Sequence, residues 1–144
     1  MKRVMDRRRA FATLAAFAAA SIAPAVRAQD PRASMAQDAA REWLALADRQ
    51  DAGATYPAAG AKFREALTPE RWSEALKMVR EPLGTVIQRT VTSTQLTRSL
   101  PGQPEGDYAL VAFRTSWTNK SVGRELVSLE YEGGRWRVIG YVIQ

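Results

Sequence analysis

The sequence predicts an α+β fold: three N-terminal helices packed on one face of a four-stranded antiparallel meander, in a single domain. Three observations predict it. Residues 125–144 read ELVSLEYEGGRWRVIGYVIQ, two alternating apolar runs joined by Gly133-Gly134, and a two-residue hairpin turn needs at both central positions the positive φ that Gly adopts freely. Residues 107–118 alternate in the same way, with Ala109, Val111, Phe113, Thr115 and Trp117 on the more apolar row. Before residue 84, three segments start on helix-capping signals and repeat apolar residues at helical spacing. Runs of helix followed by runs of strand give segregated layers.

In chain order, residues 1–28 carry the parts of an export signal: Lys2, Arg3 and Arg7 to Arg9, an Ala-rich apolar run over 10–23, then small residues before Gln29. Asp6-Arg7-Arg8-Arg9-Ala10-Phe11 resembles the twin-arginine export motif, and an ordinary secretory signal with a basic start is the alternative. The apolar run is short of the roughly 20 residues of a membrane span, so no span is expected and the domain is assigned to 29–144, periplasmic or secreted. The first 28 residues hold six of the 21 basic and one of the 15 acidic residues, so the net charge of +6 falls to +1 beyond them. With no basic surplus to pair with phosphates, no nucleic-acid partner is expected. The chain has no Cys and no His, which removes disulfides, thiolate sites and the commonest metal ligand and general base. No metal and no cofactor are expected.

Ser34 and Gln37 have capping-box spacing, which predicts a first helix from Ser34 to about Gln50, with Ala36, Ala39, Ala40, Trp43, Leu46 and Ala47 inward and Gly53 closing it. Thr55-Tyr56-Pro57 predicts a second over 55–67, with Pro57 in the first turn and Tyr56 and Phe63 inward. Thr68-Pro69-Glu70 predicts a third, with Trp72, Ala75, Leu76 and Val79 inward, stopped by Pro82 and Gly84. Residues 85–97 read as a partly exposed strand and 98–106 as a loop. For the inner row of 107–118 to meet Val127, Leu129 and Tyr131, the connection Asn119-Lys120-Ser121 is read as a three-residue loop. In the final hairpin the expected register sets Tyr131 opposite Trp136, Leu129 opposite Val138 and Val127 opposite Gly140, with Glu132/Arg135 and Glu130/Arg137 on the other face.

Trp43, Tyr56, Phe63, Trp72, Arg80-Glu81-Pro82-Leu83-Gly84, Asn119-Lys120, Glu125 and Gly134-Arg135-Trp136-Arg137-Val138-Ile139-Gly140-Tyr141 together resemble an exported bacterial family, the domain of unknown function 4019. The order of helices and strands is similar to the cone of nuclear transport factor 2 and the ketosteroid isomerases, the cystatin-like class, whose sheet curls around a pocket. The resemblance implies no catalytic residue, because the family has no assigned activity.

Two functions follow as expectations. The favoured one is a non-catalytic exported module binding a partner protein or a small apolar ligand, with a homodimer as one form of partnership. Its candidate contact surface is an apolar outer row, Leu126, Ile139, Tyr141 and Ile143, and Trp43, Trp72, Phe113 and Trp117 would line a pocket if the sheet curls. Core packing is the other reading of the aromatic residues, each of which sits at the apolar period of its own element. The rival is a small pocket enzyme in which Glu125 is the base for proton transfer and Tyr56 or Tyr131 the donor. Glu125 falls in the inward row with Val127 and Leu129, flanked by Val142 and Thr115. A carboxylate there needs either a basic partner, for which Arg80 and Arg89 are the candidates, or a wet cavity.

Overall fold

Asp30 starts the first helix by accepting from the Arg32 amide at 2.9 Å, with Pro31 in the first helical position, so α1 spans Pro31–Asp48. The expected start at Ser34 is one turn late. Gln37 does not reach back to close a capping box; its amide donates instead to Thr94 Oγ1 on the sheet at 2.7 Å. The computed structural model describes residues 30–144, and the expected export signal lies outside them. Ala33, Ala36, Ala40, Trp43, Leu44 and Ala47 form the buried side of α1, and the four small alanines let the helix lie against all four strands. No helix among the described residues is long and apolar enough to cross a membrane.

The chain leaves α1 through Gln50, which takes φ 54°, the role expected of Gly53. Asp51 then caps α2, Ala52–Ala58, by accepting from the Ala54 amide at 3.0 Å. The single second helix is replaced by two, α2 and α3, Ala61–Ala66. Pro57 sits inside α2 rather than at a helix start, so its missing amide weakens the last turn. Ala59 and Gly60 are extended, and the Gly60 amide donates to the Val138 carbonyl at 2.7 Å. That bond to the sheet edge takes the place of helix continuation. α4, Pro69–Arg80, begins as expected, with Thr68 Oγ1 accepting from the Arg71 amide. Its buried row is Trp72, Leu76 and Arg80, at i, i+4 and i+8, while Val79 is exposed. A 3-10 turn at Glu81–Leu83 leads to the sheet.

The sheet is an antiparallel meander of β1 (Val86–Thr97), β2 (Tyr108–Trp117), β3 (Lys120–Glu132) and β4 (Arg135–Ile143) in that order. The chain is thus an α+β domain with helices preceding one four-stranded sheet. On β2 the residues from Ala109 to Trp117 of the inward row are at most 1% exposed. They meet the inward row of β3, with Val111 opposite Val127 and Phe113 opposite Glu125. The turn that achieves this differs from expectation. Trp117 pairs with Lys120 across a two-residue turn, and an irregularity between Thr115 and Trp117 restores the parity that a three-residue loop would have supplied. Gly123 permits it, because a Cβ there would lie 2.7 Å from the Trp117 ring.

Gly133 and Gly134 have φ of 58° and 84°, and the hairpin they close pairs Tyr131 with Trp136 and Leu129 with Val138. Beyond that point the expected register fails. Ser128 pairs with Gly140, so Ile139 is an extra residue and Tyr141, not Gly140, stands opposite Val127. A bulge of this kind moves every later side chain to the other face. Tyr141 and Ile143 therefore turn inward, and Val142 joins Leu126 on the outer face. Ile139 lies over Gly60. The outer row expected from strict alternation is thus broken at its centre.

Candidate functional site

The inward turn of Tyr141 completes a polar cluster in an otherwise apolar core. Glu125 on β3 is fully buried, placed between Phe113 on β2 and Ile143 on β4, not between Val142 and Thr115 as strict alternation implies. Its Oε1 accepts from Arg89 Nε at 2.7 Å and from Thr115 Oγ1 at 2.5 Å. Its Oε2 accepts from the Tyr141 hydroxyl and lies 3.8 Å from Arg80 Nη1. Thr115 thus reaches Glu125 diagonally across the strand pair.

Asp48, the last residue of α1, holds the two arginines from the other side. Arg89 donates to it through both terminal nitrogens, each at 2.8 Å, and Arg80 Nη2 donates at 2.6 Å. Arg80 Nη1 also reaches the Tyr141 hydroxyl at 3.2 Å. Two arginines and two carboxylates thus balance in charge, and with Thr115 and Tyr141 they join α1, α4 and all four strands. Forked arginines suit this role because one guanidinium serves two planar acceptors at once.

Burial acts to raise the Asp48 pKa, but hydrogen bonds from Arg89 and Arg80 more than offset it and hold the carboxyl below its ordinary value. Burial, and then the nearby charge of Glu125, push Tyr141 well above the ordinary phenol value, so its hydroxyl remains a donor. A carboxyl depressed in the fold contributes stability above its unfolded pKa, near 4, and loses that contribution as pH falls through the folded value. Stability to urea is therefore expected to fall from about pH 5 toward about pH 2. Asp48→Asn should be less stable near neutrality and show a shallower acid slope; an unchanged slope would mean that Asp48 is not among the groups driving acid unfolding.

The other candidates are distributed over the fold. The Tyr56 hydroxyl lies 2.9 and 2.7 Å from the carbonyls of Arg64 and Leu67, closing the end of α3. Tyr131 is 44% exposed, its ring set edge-on to Trp136 at 5.4 Å. Neither makes a hydrogen bond to Glu125. Trp43, Trp72 and Phe113 belong to the core cluster, with the two indoles 5.7 Å apart, and Trp117 is buried over Gly123. Leu126 is half-buried on the outer face beside Val142. Ile139 and Ile143 are half-buried, and Tyr141 belongs to the polar cluster.

Glu125 with Arg80 and Arg89 was readable from the inward row and the turn at residues 82–84. Alternation does not point to Asp48, and it sets Tyr141 on the outer row instead of on Glu125. Asp48 carries a signal, since it continues the buried spacing Ala40, Leu44 by four more residues; Tyr141 carries none, because the bulge that turns it inward has no marker in the alternation.

A shallow cleft lies between α1 and the open edge of β4, with a volume of about 320 Å3. Trp43, Leu46, Trp136 and Val138 give it an apolar lining, and Glu42, Arg135 and Arg137 border it. Although Arg135 and Arg137 face Glu132 and Glu130 across the hairpin, those acids are engaged elsewhere. Glu130 pairs with Lys62 at 2.7 Å and Glu132 accepts from the Ala61 amide.

No curated protein and no solved structure matches this chain. A family model does: residues 39–141 match the protein family of unknown function DUF4019. That match spans most of the chain, including α4, β1 to β3, β4 as far as Tyr141 and the residues of the polar cluster from Asp48 to Tyr141, and the chain belongs to this family.

Proposed function

We propose that this protein is a non-catalytic module, exported through the signal in residues 1–28, that works by binding a partner protein or a small apolar ligand. The observation that carries the reading is the saturation of Glu125. A general base needs a free lone pair facing space for a substrate. Both Glu125 oxygens instead accept from fixed side chains, and the residue is fully buried. If the fold is a cone like that of nuclear transport factor 2, the space between helices and sheet where such a cone would hold its pocket is filled in this chain by the cluster and by the packed rings of Trp43, Phe63 and Trp72.

Native mass spectrometry of the exported protein tests the reading. The expected result is a stoichiometric non-covalent companion, either a small molecule or a second chain, lost on denaturation. A protein free of any companion that turns over a substrate would defeat it. For export, replacing Arg8 and Arg9 together by Lys is expected to retain the chain in the cytoplasm. Unchanged export would reject the twin-arginine route.

A further inference from the structure

The geometry points to the cleft between α1 and β4 as a binding site for a small amphipathic carboxylate, a short hydrocarbon body carrying one anionic head. This rests on the reading of the chain as a binding module and names its site and ligand class. Three features converge there. The lining from Trp43, Leu46, Trp136 and Val138 is apolar, and the volume of about 320 Å3 lies at the low end for ligand pockets, which run from about 300 to 1,000 Å3. The cleft is bordered by two guanidinium groups, Arg135 and Arg137, that make no ion pair or side-chain hydrogen bond to another described residue, against one carboxylate, Glu42.

The third feature is backbone. In a two-residue hairpin the residues flanking the turn, Glu132 and Arg135, form the bonded pair, so the amides and carbonyls of Trp136 and Val138 point away from β3. The Val138 carbonyl confirms the direction, because it is taken by the Gly60 amide at the corner between α2 and α3. The Trp136 amide and carbonyl have no such partner among the described residues. An unmet backbone donor beside two unpaired arginines on an apolar floor suits a carboxylate with a hydrocarbon tail. Glu42 on the opposite rim disfavours higher negative charge and limits the head to a single anion. Trp136 lines the cleft, and its indole Nε1, buried without an acceptor, gives a reporter on that residue.

The test uses octanoate as probe, with octanol and octylamine at equal concentration, read by the Trp136 indole N–H resonance and by calorimetric titration of the exported protein. Octanoate is expected to shift that resonance saturably, and the neutral and cationic analogues to bind at least about tenfold more weakly, the value of one charge-assisted hydrogen bond. The double variant Arg135→Gln, Arg137→Gln should lose octanoate affinity by at least about tenfold on the same ground, while keeping the parent melting curve, and Glu42→Gln should gain affinity. Octanol or octylamine binding as tightly as octanoate, an unaffected double variant, or no octanoate binding would each overturn the assignment. If octanoate fails while native mass spectrometry finds another companion, only this site assignment falls. Turnover that is abolished in a stably folded Glu125→Gln protein would remove the binding-module reading itself.

Discussion

Glu125→Gln is expected to lower the stability of the protein by about 3–5 kcal/mol, the cost of leaving a buried charge without its partner. The amide keeps the shape of the side chain but not its charge, and one of its two acceptor oxygens becomes a donor. Arg89 Nε and Thr115 Oγ1 converge on one Glu125 oxygen, and Tyr141 and Arg80 approach the other. Either orientation of a glutamine therefore turns an N–H group toward existing donors. With a total stability on the order of 5–15 kcal/mol, such a loss moves the urea midpoint far, and matched m-values would show that only stability has changed. A Glu125→Gln protein melting at or above the parent would identify Glu125 as a group kept for activity at the expense of the fold.

Trp43→Ala is expected to cost about 3–5 kcal/mol for a different reason, a cavity rather than an orphaned charge. Trp43 is 3% exposed and its ring touches Trp72, Phe63 and Tyr141 at centroid distances of 5.7, 6.0 and 5.4 Å. Its indole nitrogen donates to the Thr55 carbonyl at 3.0 Å, while Trp72 donates to Thr55 Oγ1 at 2.8 Å. Truncation opens a gap that three rigid rings fill poorly and frees the Thr55 carbonyl. Chemical denaturation reads the loss directly, and a change below about 1 kcal/mol would place Trp43 outside the packed core. Trp43→Phe, which retains an edge-to-face ring, should recover part of it.

Much of this architecture could be read from local chemistry. The Gly133-Gly134 turn, the inward row of β2 and the Thr68-Pro69 helix start follow from backbone preferences and side-chain period alone, and the structure has each of them. The misreadings share a cause. At Asp30, Gly60 and Ile139, a contact distant in sequence or a competing cap outweighs the local pattern. Asp30-Pro31 starts α1 before Ser34 can, the Gly60 amide leaves the helix to bond Val138, and Ile139 is set aside as an extra residue in β4. The site was legible in the same proportion. Alternation placed Glu125 inward and burial demanded the arginines. Tyr141 depends on a bulge that alternation cannot reveal, and Asp48 on where α1 ends.

The bulge at Ile139 also separates two kinds of change that β4 can undergo. Past Gly140, which side chain enters the core is decided by counting residues and not by their polarity, since Tyr141 is inward and the more aliphatic Val142 is half exposed. Substitution at Ile139 leaves that count intact, whatever it does to the packing over Gly60. Removing Ile139 would take out only the extra residue and leave Gly140 opposite Ser128 and Tyr141 opposite Val127, whereas adding one residue between Gly140 and Tyr141 would put the inserted side chain opposite Val127 and carry the Tyr141 hydroxyl to the outer face. This part of β4 can thus lose a residue at the bulge and keep its inward row, but cannot gain one after Gly140 without exposing Tyr141.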